Sequence, residues 1–197
     1  LCYPLKLAYR FWKEAETTSH FTEDTRKAFY RIIELWTLEQ KHENSPYYFH
    51  RPFKRKSDTL SHKGKGAPVK YTGMTWSGFR PSDDSCIYGY LVPANMFAYV
   101  VLGYISEIAE EIYKDALLKE KAEKLQAEIK EGIEKYALVK NEKGKSFYAD
   151  ETDGMGNYNL MDDANVPSLL SLPYLGYCSI DDEIYRNTRD FILSKAN

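Results

Sequence analysis

Apolar residues recur at three- and four-residue spacing in six segments of this chain, and no stretch alternates apolar and polar cleanly enough to read as a strand. A helix with an apolar stripe has to bury it, and without a sheet it can do so only against other helices. The first segment runs from about Leu5 to Ala15, with Leu7, Ala8, Phe11 and Trp12 on one face. The second opens at Thr22, a candidate N-cap, with Glu23 and Asp24 in the first turn where negative charge is favoured. Its apolar face is Phe29, Ile32, Ile33 and Trp36. The third starts near Pro93, a first-turn residue, and continues through Phe97, Val100, Val101, Tyr104, Ile105, Ile108 and Ile112. Asp115 caps the fourth, whose stripe is Leu118, Ala122, Leu125, Ile129 and Ile133. A fifth is expected from roughly Val166 to Tyr177 with Pro167 in its first turn. The sixth begins at Ser179, Asp181 and Asp182 and faces inward through Ile184, Tyr185, Thr188, Phe191 and Ile192. Ser146-Phe147-Tyr148-Ala149 reads as a short extended piece.

The order is helix pair, long loop, helix pair, polar loop, helix pair. That predicts an all-α fold of the α/α toroid type, and three pairs make half of a six-pair (α/α)6 ring. Residues 1–197 are then part of a single domain, with site loops at about residues 44–92 and 150–165. The chain opens Leu-Cys-Tyr-Pro-Leu-Lys inside an amphipathic pattern, which reads as a piece of a longer protein. Unpaired helix faces in such a piece should associate with the remainder of the parent chain.

A net charge of -2 argues against a dedicated nucleic-acid binder. The basic run Arg51, Lys54, Arg55, Lys56, Lys63 and Lys65 has no Walker spacing and reads as a solvated loop. No apolar run approaches the ~20 residues of a membrane span. Cys2, Cys86 and Cys178 match neither a zinc site nor a CxxC motif; free thiols and the lack of a leader pattern give a cytoplasmic expectation. His20, His42, His50 and His62 have no metal-ligand spacing, so no metal or cofactor is expected. Seventeen tyrosines fit helices packed around a polar, ligand-lined cavity, and fit a Tyr-rich core equally well.

The chemistry concentrates in Gly73-Met74-Thr75-Trp76-Ser77-Gly78-Phe79-Arg80-Pro81-Ser82-Asp83-Asp84, a loop without helical or strand period. Aromatic faces cover apolar sugar faces, Arg and Asp bind hydroxyls, and a carboxylic acid can protonate a glycosidic oxygen. Adjacent carboxylates repel, and a carboxyl group held protonated near neutral pH is what a general acid requires. Asp83 and Asp84 could also simply cap or solvate a helix start. Trp76 and Arg80 favour a sugar site. The second polar loop carries Asn157, Asn159, Asp162, Asp163 and Asn165, which could bracket vicinal hydroxyls or serve as loop caps.

These residues resemble glycoside hydrolase family 125, the metal-independent exo-α-1,6-mannosidases. The similarity spans essentially the whole chain. It is strongest in Gly64-Lys65-Gly66-Ala67-Pro68-Val69, Thr72 to Asp84, Tyr88-Gly89-Tyr90 and Asp153 to Tyr177, which holds the long run Asn157 to Leu170. The resemblance implies an (α/α)6 barrel that releases terminal mannose from an α-mannoside glycan with inversion. It places the general acid in the pair Asp83-Asp84, with Asp83 favoured because glucoamylases resemble it in using the first carboxylate of a similar pair. The other Asp would hold sugar hydroxyls or orient the acid. Trp76, Arg80 and the polar loop's Asn157, Asn159, Asp162, Asp163 and Asn165 would shape the terminal-sugar site. The base lies in a motif beyond Asn197. The alternative is a carbohydrate-binding helical protein that keeps the sugar contacts without a base.

Overall fold

The computed structural model describes residues 1–52 and 55–195; Lys54 of the basic run lies outside the described residues. The fold is all-α in class. Four long helices form its frame: α1 (Cys2–Ala15), α2 (Glu23–Glu39), α3 (Val92–Ile108) and α4 (Ala116–Tyr136). α3 runs on through a wider turn, Ala109–Tyr113, to a left-handed Lys114 that ends it. α3 packs along α4, α1 lies on α3, and α2 lies on α4. Two short helices follow, α5 (Leu172–Leu175) and α6 (Glu183–Ile192).

The periodic positions behave as their spacing requires on α4, where Leu118, Ala122, Leu125, Ile129 and Ile133 are all buried. Each large aliphatic there contributes about 1.5–3 kcal/mol of burial. α1 departs from expectation. Leu7 and Phe11, placed on the inner face, are 72% and 48% exposed, while Leu5 is buried. α3 is apolar almost all round. With its extension it is long and apolar enough to cross a membrane, but most of it is buried inside the fold. It is the central core helix, and the expectation that no run approaches that length is corrected.

The caps follow their chemistry. The Thr22 hydroxyl accepts from the Thr25 N–H, and Asp182 accepts from Tyr185 N–H. Asp115 accepts from Leu118 N–H and also from Arg26 and Tyr30 of α2, so one carboxylate starts α4 and joins it to α2. Burial acts to raise that carboxyl, but these donors outweigh it and hold it below the usual range.

Five short strands were mostly invisible to the sequence. β2 (Leu138–Lys140) and β3 (Ser146–Tyr148) make an antiparallel hairpin, the second being the extended piece expected near Ser146. β1 (Tyr90–Leu91), β4 (Glu151–Thr152) and β5 (Tyr158–Asn159) form an antiparallel sheet in the order β1-β4-β5. Tyr90 pairs with Thr152, and Glu151 pairs with Asn159. Two residues cannot display an alternating pattern.

The expected helix from Val166 to Tyr177 is also corrected. A cis Val166–Pro167 bond precedes a 3-10 turn at Leu169–Ser171, and only Leu172–Leu175 is α-helical, so Pro167 opens no helix. The tyrosines mostly join elements. Tyr9 stacks on Tyr104 with ring centroids 3.9 Å apart, and its hydroxyl donates to Glu107.

Two glycines seat the first polar loop on α4. A Cβ on Gly132 would lie 2.5 Å from the Thr72 carbonyl oxygen, and one on Gly73, whose φ is +89°, would lie 2.5 Å from the Glu128 carbonyl oxygen. Gln40 Nε2 donates to the Gly73 carbonyl across the same contact. We expect Gly132→Ala to lower stability by about 2 kcal/mol or more despite the better helix propensity of Ala, because backbone has to move. Urea unfolding measures this; a gain in stability would show that the loop is not held by that contact.

Candidate active site

The loop from Thr72 to Asp84 is pinned to the core by backbone. Asn95 of α3 accepts from Thr75 N–H and donates to Thr75 C=O, standing in for a neighbouring strand. Trp76 N–H donates to the Glu39 carbonyl, and Ser77 N–H to the Gly89 carbonyl. The chain then turns back on itself. Phe79 bridges Ser85, Arg80 N–H donates to Asp84 C=O, and Asp83 N–H donates to Arg80 C=O. Asp83 sits at the tip with φ +68°, a left-handed conformation that Asp tolerates better than most side chains.

The adjacent acids do not share one space. Asp83 lines a cleft of about 460 Å³ with Tyr47, Phe49, Arg51, Asp58 and Phe79. Asp84 lines another, of about 610 Å³, with Lys56, Ser57, Arg80, Cys86 and Ile87 among its walls. Neither side chain has a hydrogen bond or ion pair among the described residues. Both are therefore available for a ligand.

Arg80 holds the hairpin from beneath. Its side chain is buried, and Nε donates to Glu151 Oε1 of β4 at 2.5 Å. The other Glu151 oxygen accepts from Tyr88 N–H at 2.7 Å. Burial acts to lower the guanidinium, but the Glu151 carboxylate prevails and raises it. One ion pair thus connects the acid hairpin, the Tyr88 turn and the small sheet.

The second polar loop meets this hairpin at its tip. Asp163 accepts from Ser82 N–H at 3.2 Å and from Ser82 Oγ at 2.6 Å, and Asn165 Nδ2 donates to Asp163. The structure therefore brings Arg80, Asp83, Asp84, Asp163 and Asn165 into one neighbourhood. Asn157 and Asp162 make contacts within their own loop. Asn157 Nδ2 donates to Asp153 at 2.6 Å, closing its own turn. Asn159 lies on β5, and its Nδ2 is buried with no acceptor among the described residues. Asp162 is buried and accepts from Leu169 N–H at 2.8 Å at the start of the 3-10 turn, and burial raises its carboxyl.

Trp76 is a core residue. Its ring is 7% exposed and stacks on His42 with centroids 3.5 Å apart and planes 4° from parallel. One face of the ring is covered by imidazole, and Trp76 also lines a cleft with Leu35, Tyr47 and Ala98. His42 Nε2 lies 2.9 Å from the Lys65 carbonyl and Nδ1 lies 2.6 Å from a Glu39 carboxylate oxygen, so both ring nitrogens are engaged.

Sequence reasoning missed Asp150 and Glu151, both wholly buried. The available signal was three acids in Asp150-Glu151-Thr152-Asp153 directly after the apolar Phe147-Tyr148-Ala149. Among the described residues no group of three or more His, Cys, Asp or Glu side chains could hold a metal ion.

A family model described as metal-independent alpha-mannosidase (GH125) matches residues 1–197. The chain belongs to this family. A GH125 protein of Streptococcus pneumoniae, solved as a metal-independent alpha mannosidase in a non-productive complex with alpha-1,6-mannobiose, is 55% identical with a TM-score of 0.97. That similarity covers 100% of this chain and 46% of the solved one. The meiotically up-regulated gene 157 protein of Schizosaccharomyces pombe is 38% identical over 209 residues, covering 96% of this chain and 39% of the yeast protein. The chain thus spans less than half the length of either relative.

Glu151→Ala would leave Arg80 buried without its countercharge, and we expect a loss of about 3–5 kcal/mol. Ser82→Ala, at the exposed loop junction, should cost about 1 kcal/mol or less. Denaturant midpoints of the two variants compare these directly; equal losses would deny the ion pair its structural role.

Proposed function

We propose that this GH125 chain carries the acid side of an inverting exo-α-1,6-mannosidase, within one half of an (α/α)6 barrel. The observation that carries the reading is the unpaired Asp83–Asp84 hairpin, held rigid by Arg80 and joined to the second polar loop through Ser82 and Asp163. The S. pneumoniae relative bound to alpha-1,6-mannobiose supports the substrate class.

In this reading Asp83 donates its proton to the glycosidic oxygen as the C–O bond breaks. Its exposure at the hairpin tip leaves it accessible to a substrate. Asp84, beside Arg80 in the neighbouring cleft, holds sugar hydroxyls. A water activated by a carboxylate outside residues 1–197 attacks the anomeric carbon from the opposite face, giving β-mannose from an α-mannoside. Acid and base then stand about 6.5–9.5 Å apart, leaving room for the water. Trp76 supports the loop from below, and Asn165 and Asp163 fix its tip.

The protein at its full natural length, assayed on α-1,6-mannobiose, tests this. Asp83→Asn should reduce kcat by about 10²–10⁴-fold while mannose binding by calorimetry survives. Asp84→Asn should raise KM more than it lowers kcat. The first product anomer seen by NMR should be β, and EDTA should have no effect. Near-normal turnover in both variants would sink the acid assignment. A protein that binds mannosides and hydrolyses none would be a carbohydrate-binding helical protein.

A further inference from the structure

The residue before β4 is Asp150, and its backbone is tied on both sides. Its N–H donates to Asn159 C=O and its carbonyl accepts from Val92 N–H, each at 2.8 Å. Its side chain is wholly buried, yet neither carboxyl oxygen has a hydrogen-bond partner among the described residues. Three acids act on it: Glu151 from β4, and Asp162 and Asp163 from the second polar loop. From the hairpin side come Arg80 and the half-buried thiol of Cys86, which desolvation pushes well up. Arg80 is the cation in this group. Its Nε is engaged by Glu151, while its Nη2 is buried and has no acceptor among the described residues.

While Arg80 stays bound to Glu151, an ionised carboxylate in this position would lack the partners that offset its desolvation, at a cost of several kcal/mol. A neutral carboxyl avoids most of that cost. We propose that Asp150 is a positioning residue kept as a neutral carboxylic acid, which leaves Arg80 bound to Glu151 and so fixes the hairpin that carries Asp83 and Asp84. Burial first, then the charges of Glu151 and Asp162, push its carboxyl up to about 8. Above that pH the new carboxylate competes with Glu151 for Arg80, whose Nη2 is free to answer. The Arg80 N–H and C=O close the hairpin on Asp84 and Asp83, so a shift of the guanidinium is felt at the acid.

The sign for stability follows. A folded-state carboxyl raised above its unfolded value of about 3.9 stabilises fully below that value. Its contribution is lost as pH rises from about 4 to about 8.

The kinetic readout rests on the mannosidase reading, and the spectroscopic one does not. Wild type and Asp150→Asn, both at full natural length, are compared by difference infrared spectroscopy and by the pH profile of kcat/KM on α-1,6-mannobiose. We expect a protonated-carboxyl band in wild type that disappears between roughly pH 7 and 9 and is missing from the variant. We also expect the alkaline limb of kcat/KM to move up by about one pH unit or more in the variant. A purely structural role would lower Tm and leave that limb in place. Glu151→Gln provides a second arm: with the neighbouring charge removed, the wild-type band should disappear at lower pH.

No such band in wild type, a band that persists in Asp150→Asn, or an unmoved limb in an active enzyme overturns the proposal. A protein that shows the band and its loss but hydrolyses no mannoside would refute the mannosidase reading and leave the neutral-acid assignment standing.

Discussion

The buried pair between Arg80 and Glu151 is the contact on which the rest of the site depends. Arg80 closes the acid hairpin with its own backbone and reaches through it to the small sheet with its side chain. Glu151 answers with one oxygen and holds the Tyr88 turn with the other. Because β4 pairs with β5, the same link sets the start of the second polar loop, which returns to the hairpin tip at Ser82. A buried ion pair is a poor source of net stability, since desolvation offsets most of its attraction. Its value here is placement: three backbone segments share one guanidinium–carboxylate contact.

The helical frame contributes a surface to build on. α3 and α4 bury the large aliphatic residues, and the loop rests on α4 where two glycines let backbone meet backbone. Asn95 of α3, and Gln40 with the Glu39 carbonyl at the C-terminal end of α2, then fix its first half. The loop lacks regular structure but not order, because many of its backbone N–H groups, from Met74 to Ser77 and at Arg80, Ser82 and Asp83, have specific acceptors. Among the described residues this leaves the Asp83 and Asp84 side chains without partners, beside Ser82 and Asp163, which bond each other.

The sequence made the frame legible where helices are long. The stripe from Leu118 to Ile133 and the caps Thr22, Asp115 and Asp182 could be read because each is a local pattern set by helix geometry. Paired strands of two residues lie below any periodic signal, and the segment after Val166 broke into short turns. The loop from Thr72 to Asp84 was recognisable as chemistry, yet its internal roles were not. Trp76 went under the loop because His42, far off in sequence, offered a flat ring to stack on. Asp162 was taken up as a cap because the following turn exposes N–H groups that need an acceptor. Asp150 and Glu151 escaped notice because acids are ordinarily at the surface, and only the fold shows what buries them.

A double-mutant cycle on Arg80→Gln and Glu151→Gln, read as kcat/KM of the full-length protein, tests this most directly. If the pair positions the acid, the two changes are strongly coupled, and the double variant loses no more than about the worse single one. Losses that simply add, with no coupling beyond about 0.5 kcal/mol, would mean that the hairpin is held without the ion pair and would contradict the account.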